Sequence, residues 1–272
     1  MNLSINSTFE LNNGVKIPVL GFGTWGLDGK KAINTTTWAI ETGYRLIDTA
    51  FIYGNEVEVG KAIRASDVPR EKIFITTKVW QTDMRYQKTF KSFERSLKNL
   101  NVDYIDLFLI HWPRKRRLET WRAMEKIYEE GKIKAIGVSN FTVSHLEEIL
   151  SNSEIIPVVN QVELSPFLYQ KDLLDFCRQN KIQLEAYAPL TRAIKLNNLV
   201  LKEVSDKYKK NPAQILLRWA LQHHIIAIPK SSSKEHIREN ANIFNFKIKK
   251  SDMKRLDNLD EGFRAVEDPI FD

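Results

Sequence analysis

Asp48, Tyr53, Lys78 and His111 are four residues of four chemical types, each at or just past the end of a short apolar run. The runs that carry them, YRLIDTA, KIFITT and YIDLFLI, read as β-strands about one βα unit apart. Parallel strands in a barrel deliver all their carboxyl ends to one face, where active sites are built. A carboxylate buried there without a partner costs several kcal/mol, and Lys78 on the next strand is the natural partner for Asp48. A phenol beside that ammonium is expected to have its pKa lowered, so that Tyr53 can give a proton near neutral pH and take it back in reverse. A neutral imidazole at His111 can hydrogen-bond a substrate oxygen. The plainer reading of the same residues is an Asp48–Lys78 pair that ties two strands, a surface Tyr53 and a structural His111. Glu56 and Glu163 also fall near strand ends, so a two-carboxylate hydrolase stays open.

The elements that must hold these residues are legible from periodicity. Eight short apolar runs (VLGFG, YRLIDTA, KIFITT, YIDLFLI, KAIGV, PVVNQVE, QLEAYAP, IIAIP) alternate with amphipathic segments such as KTFKSFERSLKNL and ETWRAMEKIYEEG. That alternation over this length predicts an α/β fold, a (β/α)8 TIM barrel. A doubly wound sheet would want an early GxGxxG turn, which the chain lacks. FELNNGVKIP predicts an N-terminal β-hairpin, with Asn13–Gly14 suited to a type I′ turn. Gly43 and Gly131 fall where helices should stop, and Asn211–Pro212 should open one. No Pro-, Gly- or Ser-rich linker divides residues 1–272, so a single domain is expected.

Composition narrows the function classes. The chain has 272 residues, 43% of them hydrophobic, enough for a large core. Its net charge of +7 is spread over short runs such as Arg114–Arg117, Lys209–Lys210 and Lys249–Lys250, and no nucleic-acid motif accompanies it. Such a field suits a polyanionic small molecule better than nucleic acid. The single cysteine, Cys177, excludes an internal disulfide and a metal–thiolate cluster. MNLSINSTFE lacks the pattern of a secretory signal, and no apolar stretch approaches the ~18 residues of a membrane span. A cytoplasmic protein with no membrane partner is expected.

Taken together, GFGTW, GYRLIDTAFIYGNE, TTKVW, LFLIHWP, GKIKAIGVSNF, NQVELSP, AYAPL and IPKSS resemble the aldo-keto reductase family, in its order and near its spacing. The resemblance covers essentially the whole chain. It implies a metal-free, NADP(H)-dependent carbonyl reductase, with Tyr53 as proton donor, Lys78 and Asp48 tuning it, and His111 orienting the carbonyl. It also implies a cofactor site. Gly23, Thr24, Trp25 and Asp48 would line it, and Ser139, Asn140 and Gln161 would hold the nicotinamide carboxamide. Tyr187 would stack on the ring, with Ala188, Pro189 and Leu190 following it. Ala188 stands where the family often has serine, which removes one hydroxyl from the pyrophosphate side.

Lys230, Ser231 and Ser232 match the family's 2′-phosphate clamp, and Asn240 an adenine contact. Ser233 can cap the following helix, whose start is electropositive. His236 stands where NADP-preferring members carry arginine; an imidazole cannot fork to a phosphate, which admits NADH as an alternative cofactor. Trp25, Ile52, Trp80, His111 and Trp112 match the wall of the substrate pocket, whereas Trp38, Trp121 and Trp219 lie in helical patterns and should be core. The short loop after LFLIHWP and the short tail EGFRAVEDPIFD imply an open pocket and a broad range of small carbonyl substrates; a monomer is expected. Arg114–Arg117 precede a helix, where positive charge opposes the macrodipole. They read as a solvated loop, or as an attractor of anionic substrates. Two rivals stand beside a reductase. One is a Schiff-base aldolase using Lys78; the other is a barrel kept for binding alone, against which the four intact residues argue.

Overall fold

Strands and helices alternate along the computed structural model, which describes residues 3–266. A two-stranded antiparallel hairpin, β1 (Thr8–Glu10) and β2 (Lys16–Pro18), comes first. Eight parallel strands follow: β3 (Gly21–Gly23), β4 (Leu46–Asp48), β5 (Phe74–Val79), β6 (Ile105–Ile110), β7 (Ile133–Ser139), β8 (Val159–Glu163), β9 (Gln183–Tyr187) and β10 (Ile226–Ala227). They pair in sequence order from β3 to β10. The sheet closes on itself where Leu20 bridges Ala227 in parallel and the Gly23 N–H donates to the Pro229 carbonyl at 3.1 Å. Every residue of β4, β5, β6 and β8 is buried, as parallel strands covered on both faces require.

The outer layer is built from α1 (Gly29–Thr42), α2 (Glu56–Arg64), α3 (Tyr86–Leu100), α4 (Arg117–Glu129), α5 (Val143–Asn152), α6 (Lys171–Gln179), α7 (Leu199–Tyr208), α8 (Pro212–Gln222), α9 (Lys234–Ala241) and α10 (Lys250–Asp257). This is the expected (β/α)8 barrel, with two helices, α7 and α8, between β9 and β10 and a tenth after α9. The anticipated helix ends are in place. Gly43 stops α1 at φ 109°, Gly131 follows α4 at φ 74°, and Asn211 and Gln214 form a reciprocal capping box at the start of α8. Trp121 and Trp219 are fully buried and Trp38 packs at the core's edge. Burial pushes the Cys177 thiol up to about 12, which makes it inert.

The hairpin turn departs from the type I′ expectation. That turn needs positive φ at both central residues, and only Gly14 has it, at 83°. The Gly14 N–H instead returns to the Leu11 carbonyl (2.9 Å) and Leu11 N–H to Val15 (2.8 Å), a three-residue loop with glycine in the left-handed position. The Asn13 amide is drawn away to donate to the Lys134 carbonyl (3.0 Å), and Asn12 donates to Pro157 (3.2 Å). Tertiary anchoring thus selects the turn. Lys134 and Pro157 lie at the amino ends of β7 and β8, so the hairpin covers the bottom of the barrel. Phe9 stacks there on His224, ring centroids 4.0 Å apart.

Candidate active site

At the opposite, carboxyl-terminal end, Asp48 closes β4, Lys78 is the penultimate residue of β5, His111 follows β6, and Tyr53 ends a single turn after β4. Lys78 is wholly buried and its ammonium donates to Asp48 Oδ1 (2.7 Å), Asp48 Oδ2 (2.8 Å) and the Thr49 carbonyl (2.9 Å). The Tyr53 hydroxyl lies 3.4 Å from Lys78 Nζ. Burial pulls the ammonium down, but the Asp48 carboxylate with Tyr53 and Glu185 outweighs it and holds Lys78 above its ordinary pKa. Burial pushes the Tyr53 phenol up; Lys78 opposes that and Asp48 reinforces it, and the net direction is upward. This corrects the lowered phenol pKa expected from sequence. Lys78's charge is largely neutralised by the carboxylate it grips, so its hold on the phenol is the smaller effect.

His111 continues the barrel ladder through its N–H to the Val79 carbonyl (3.2 Å) and sets its ring edge-on to Tyr53 (5.7 Å) and Trp80 (5.1 Å). Its Nδ1 is buried with no hydrogen-bond partner. Burial, with Lys78 nearby, lowers its pKa well below the usual value, so the ring is neutral at pH 7. Trp80 and Trp112 pack about the His111 ring, while Trp25 (52% exposed) and Ile52 (44% exposed) lie open to solvent.

Ser139, Asn140, Gln161 and Tyr187 join the same hydrogen-bonded cluster. Asn140 takes φ 65°, a conformation asparagine tolerates, and its amide donates to the His111 carbonyl (2.9 Å) while its Oδ1 accepts from the Tyr187 hydroxyl (2.6 Å). The Ser139 hydroxyl (2.8 Å) and the Asn140 N–H (2.9 Å) both donate to the Gln161 backbone carbonyl. The Gln161 side-chain amide donates to Asp48 Oδ2 (2.8 Å) and to Glu185 Oε2 (3.0 Å). The loop after Tyr187 begins with Ala188 at φ 46°, runs through Pro189 and Leu190, and sets the Arg192 guanidinium 4.5 Å over the Trp25 ring.

A second group gathers where β10 leaves the barrel. Thr24 is buried and donates to the Asp48 carbonyl (2.9 Å), and a Cβ on Gly23 would meet the Ile228 carbonyl at 3.1 Å, so only glycine packs freely beside this segment. Lys230 is exposed; partial burial and then Lys31 push its pKa down. The Ser231 hydroxyl donates to the Ser233 carbonyl (3.3 Å), and the Ser233 hydroxyl accepts from the His236 N–H (3.3 Å), capping α9. Ser232 and His236 are exposed, and Asn240 is buried one turn further along α9.

Other expected site residues have different partners. Glu163 accepts from the backbone N–H groups of Ala265 (2.6 Å) and Val266 (3.1 Å) and so anchors the tail; residues 267–272 of that tail lie outside the described residues. Glu56 accepts from Thr77 (2.7 Å) and Asn99 (2.9 Å). Both carboxylates are occupied in holding structure, which removes the basis for a two-carboxylate hydrolase. Arg117 is the first residue of α4 and pairs with Glu148, so the basic run is not uniformly solvated. Sequence reasoning missed Glu185, which shares a strand face with Tyr187 two residues on, a period-two signal that was available. It also missed Lys31, which only the tertiary fold brings near Lys230. Among the described residues no group of three or more His, Cys, Asp or Glu side chains can hold a metal, and no helix is long and apolar enough to cross a membrane.

Residues 19–261 match the model of the aldo/keto reductase family. The chain belongs to that family. As an aldo/keto reductase it is an oxidoreductase, and its relatives match end to end. It is 49% identical to the glyoxal reductase of Bacillus subtilis over 271 residues, 99% of this chain and 98% of the relative. The crystal structure of the aldo-keto reductase MGS-M4, from a Medee basin deep-sea metagenome library, superposes with a TM-score of 0.95 at 47% identity, over 97% of this chain and 98% of that one. The silkworm (Bombyx mori) aldo-keto reductase AKR2E5 complexed with NADPH does so with a TM-score of 0.91 at 38% identity, over 96% and 89% of the two chains.

Proposed function

We propose that this aldo/keto reductase reduces small aldehydes and ketones to alcohols with NADPH, Tyr53 giving the proton. The observation that carries the reading is a half-buried phenol 3.4 Å from an ammonium that a carboxylate already holds, beside a neutral imidazole. A phenol whose pKa burial lifts is fully protonated at neutral pH and so charged with the proton that a nascent alkoxide needs. A proton on Nδ1 of His111 would be a buried unpaired donor, so the tautomer protonated at Nε2 is favoured, and that N–H can polarise a carbonyl oxygen. Lys78 keeps three acceptors and its positive charge, which makes it a poor Schiff-base nucleophile and sets the aldolase reading aside.

The donor set suits a nicotinamide dinucleotide. Ser139, Asn140, Gln161 and the Tyr187 ring offer amide partners and an aromatic face at one end, while Lys230, Lys31, Ser231 and the capped start of α9 offer cations and N–H groups for a phosphate at the other. When bound there, the reduced nicotinamide supplies the hydride. His236 gives a weaker phosphate partner than a forked guanidinium, so the preference for NADPH is modest. The test is loss of nicotinamide absorbance with NADPH and with NADH over a panel of small aldehydes and ketones. Reduction with NADPH favoured over NADH is expected; no turnover of any carbonyl with either would refute the reading.

A further inference from the structure

One buried group in this site has no part in the proton transfer just described. Glu185 lies on β9, in parallel register with Gln161 on β8 and Ile226 on β10, and is completely buried. Its Oε2 accepts from the Gln161 amide at 3.0 Å, and the same amide nitrogen donates to Asp48 Oδ2 at 2.8 Å. An amide nitrogen has two hydrogens, so both are spent on carboxylates. That fixes the flip of the side chain and turns the amide carbonyl away from both acids. Glu185 Oε1 is buried and has no hydrogen-bond partner. An ionised carboxylate with one oxygen bare in a barrel core is strongly disfavoured, and protonation removes the buried charge, the larger part of that cost.

We propose that Glu185 is a positioning residue: as a carboxylic acid it fixes, through Gln161, the Asp48 carboxylate and the face Gln161 turns to the cofactor, and when ionised it hinders formation of the Tyr53 phenolate. This rests on the reductase reading of the site. The charged and titratable groups facing Glu185 are Asp48 from β4, Lys78 from β5 and Tyr53 from the turn after β4. Burial first, and the Asp48 charge second, push the Glu185 carboxyl up to about 8. The acid is therefore neutral while Tyr53 donates its proton near pH 7. In alkaline solution Glu185 becomes an anion close to the phenol, and a like charge there resists phenolate formation. Alcohol oxidation by the reverse reaction needs that phenolate, since it must accept the hydroxyl proton as hydride leaves for the oxidised nicotinamide. The device thus biases the site toward reduction as pH rises.

Two variants separate the two roles. Glu185→Gln keeps an acceptor for Gln161 and removes the ionisation. In this variant the alkaline limb of alcohol oxidation should move down by roughly one pH unit. Glu185→Leu removes the acceptor and should weaken NADPH binding about tenfold, read by fluorescence titration without turnover. Infrared spectra of the protein alone supply an independent readout. A protonated-carboxyl C=O band should be present at pH 7, fade as pH passes about 8, and vanish in Glu185→Gln. A wild-type-like oxidation profile in Glu185→Gln, or absence of that band at neutral pH, overturns the proposal. Failure to reduce any carbonyl would strike the reductase reading alone, because the infrared band and the cofactor titration need no turnover.

Discussion

At the scale of single residues the site depends on which of several buried charges keeps its proton. Tyr53 keeps its proton at neutral pH, as Lys78 and Glu185 do, and Tyr53→Phe removes the proposed donor while leaving the Asp48–Lys78 pair and the ring packing against His111 in place. Turnover should fall by about 100-fold or more, the usual worth of a positioned acid, with cofactor affinity little changed. Steady-state kinetics together with cofactor titration of the folded variant check this, and near-normal kcat would sink the assignment. Asp48, Lys78 and His111 were legible because strand ends in a barrel converge on one face, so residue type and spacing were enough. The direction of the Tyr53 shift was not legible. It depends on a balance between burial and a lysine whose charge is shared with Asp48, and burial is a property of the folded chain. The strand face that Glu185 shares with Tyr187 was legible from period two, but its role was not, because that is set by the groups across the barrel.

At the scale of elements, the loops that follow β5 and β6 meet beside Trp80 and Trp112. Gln81 accepts from Arg114 Nε at 3.2 Å, and Arg85, Lys88, Arg114, Lys115 and Arg116 line a cleft of about 360 Å³ to which no acidic side chain contributes among the described residues. Glu119 stands close by, held by the Tyr86 N–H (3.1 Å) and by Arg116 (3.0 Å). Arg85 and Arg116 occupy the N-caps of α3 and α4, where a side-chain acceptor would satisfy free N–H groups and where a cation opposes the helix dipole. The sequence suggested Arg114–Arg117 as the basic feature. The fold removes Arg117 to Glu148 and brings in Arg85 and Lys88 from the start of α3, a pairing that spacing along the chain could not reveal. Replacing Arg85, Lys88 and Lys115 by glutamine should raise KM several-fold for a carboxylated or phosphorylated aldehyde and leave a neutral aldehyde of similar size unaffected, with the gap narrowing at high salt. Equal changes for both substrates would reduce the cleft to solvated surface.

At the scale of the whole molecule, the strand–helix alternation was readable almost completely, because buried parallel strands and amphipathic helices leave different periods in the sequence. What could not be read was closure: β10 keeps only two ladder residues, and the hairpin turn is chosen by contacts to β7 and to Pro157. Burial of ionisable groups in so large a core also makes stability depend on pH. Glu185 is raised in the folded state, so its contribution is fully present below the ordinary carboxyl range and is lost as pH rises toward about 8. Chemical denaturation of wild type and Glu185→Gln should therefore diverge across roughly pH 5 to 8, with the wild type losing on the order of a few kcal/mol that the variant keeps. Parallel pH profiles would show that the acid is already ionised at neutrality. The hairpin described above has one further consequence, for attachment of the enzyme to a surface. Its strands seal the floor of the barrel, whereas Ala265 and Val266 are held by Glu163 at the rim that carries Tyr187. A tether joined ahead of Thr8 would leave the mouth pointing into solution, and one joined at Val266 would turn the mouth toward the support.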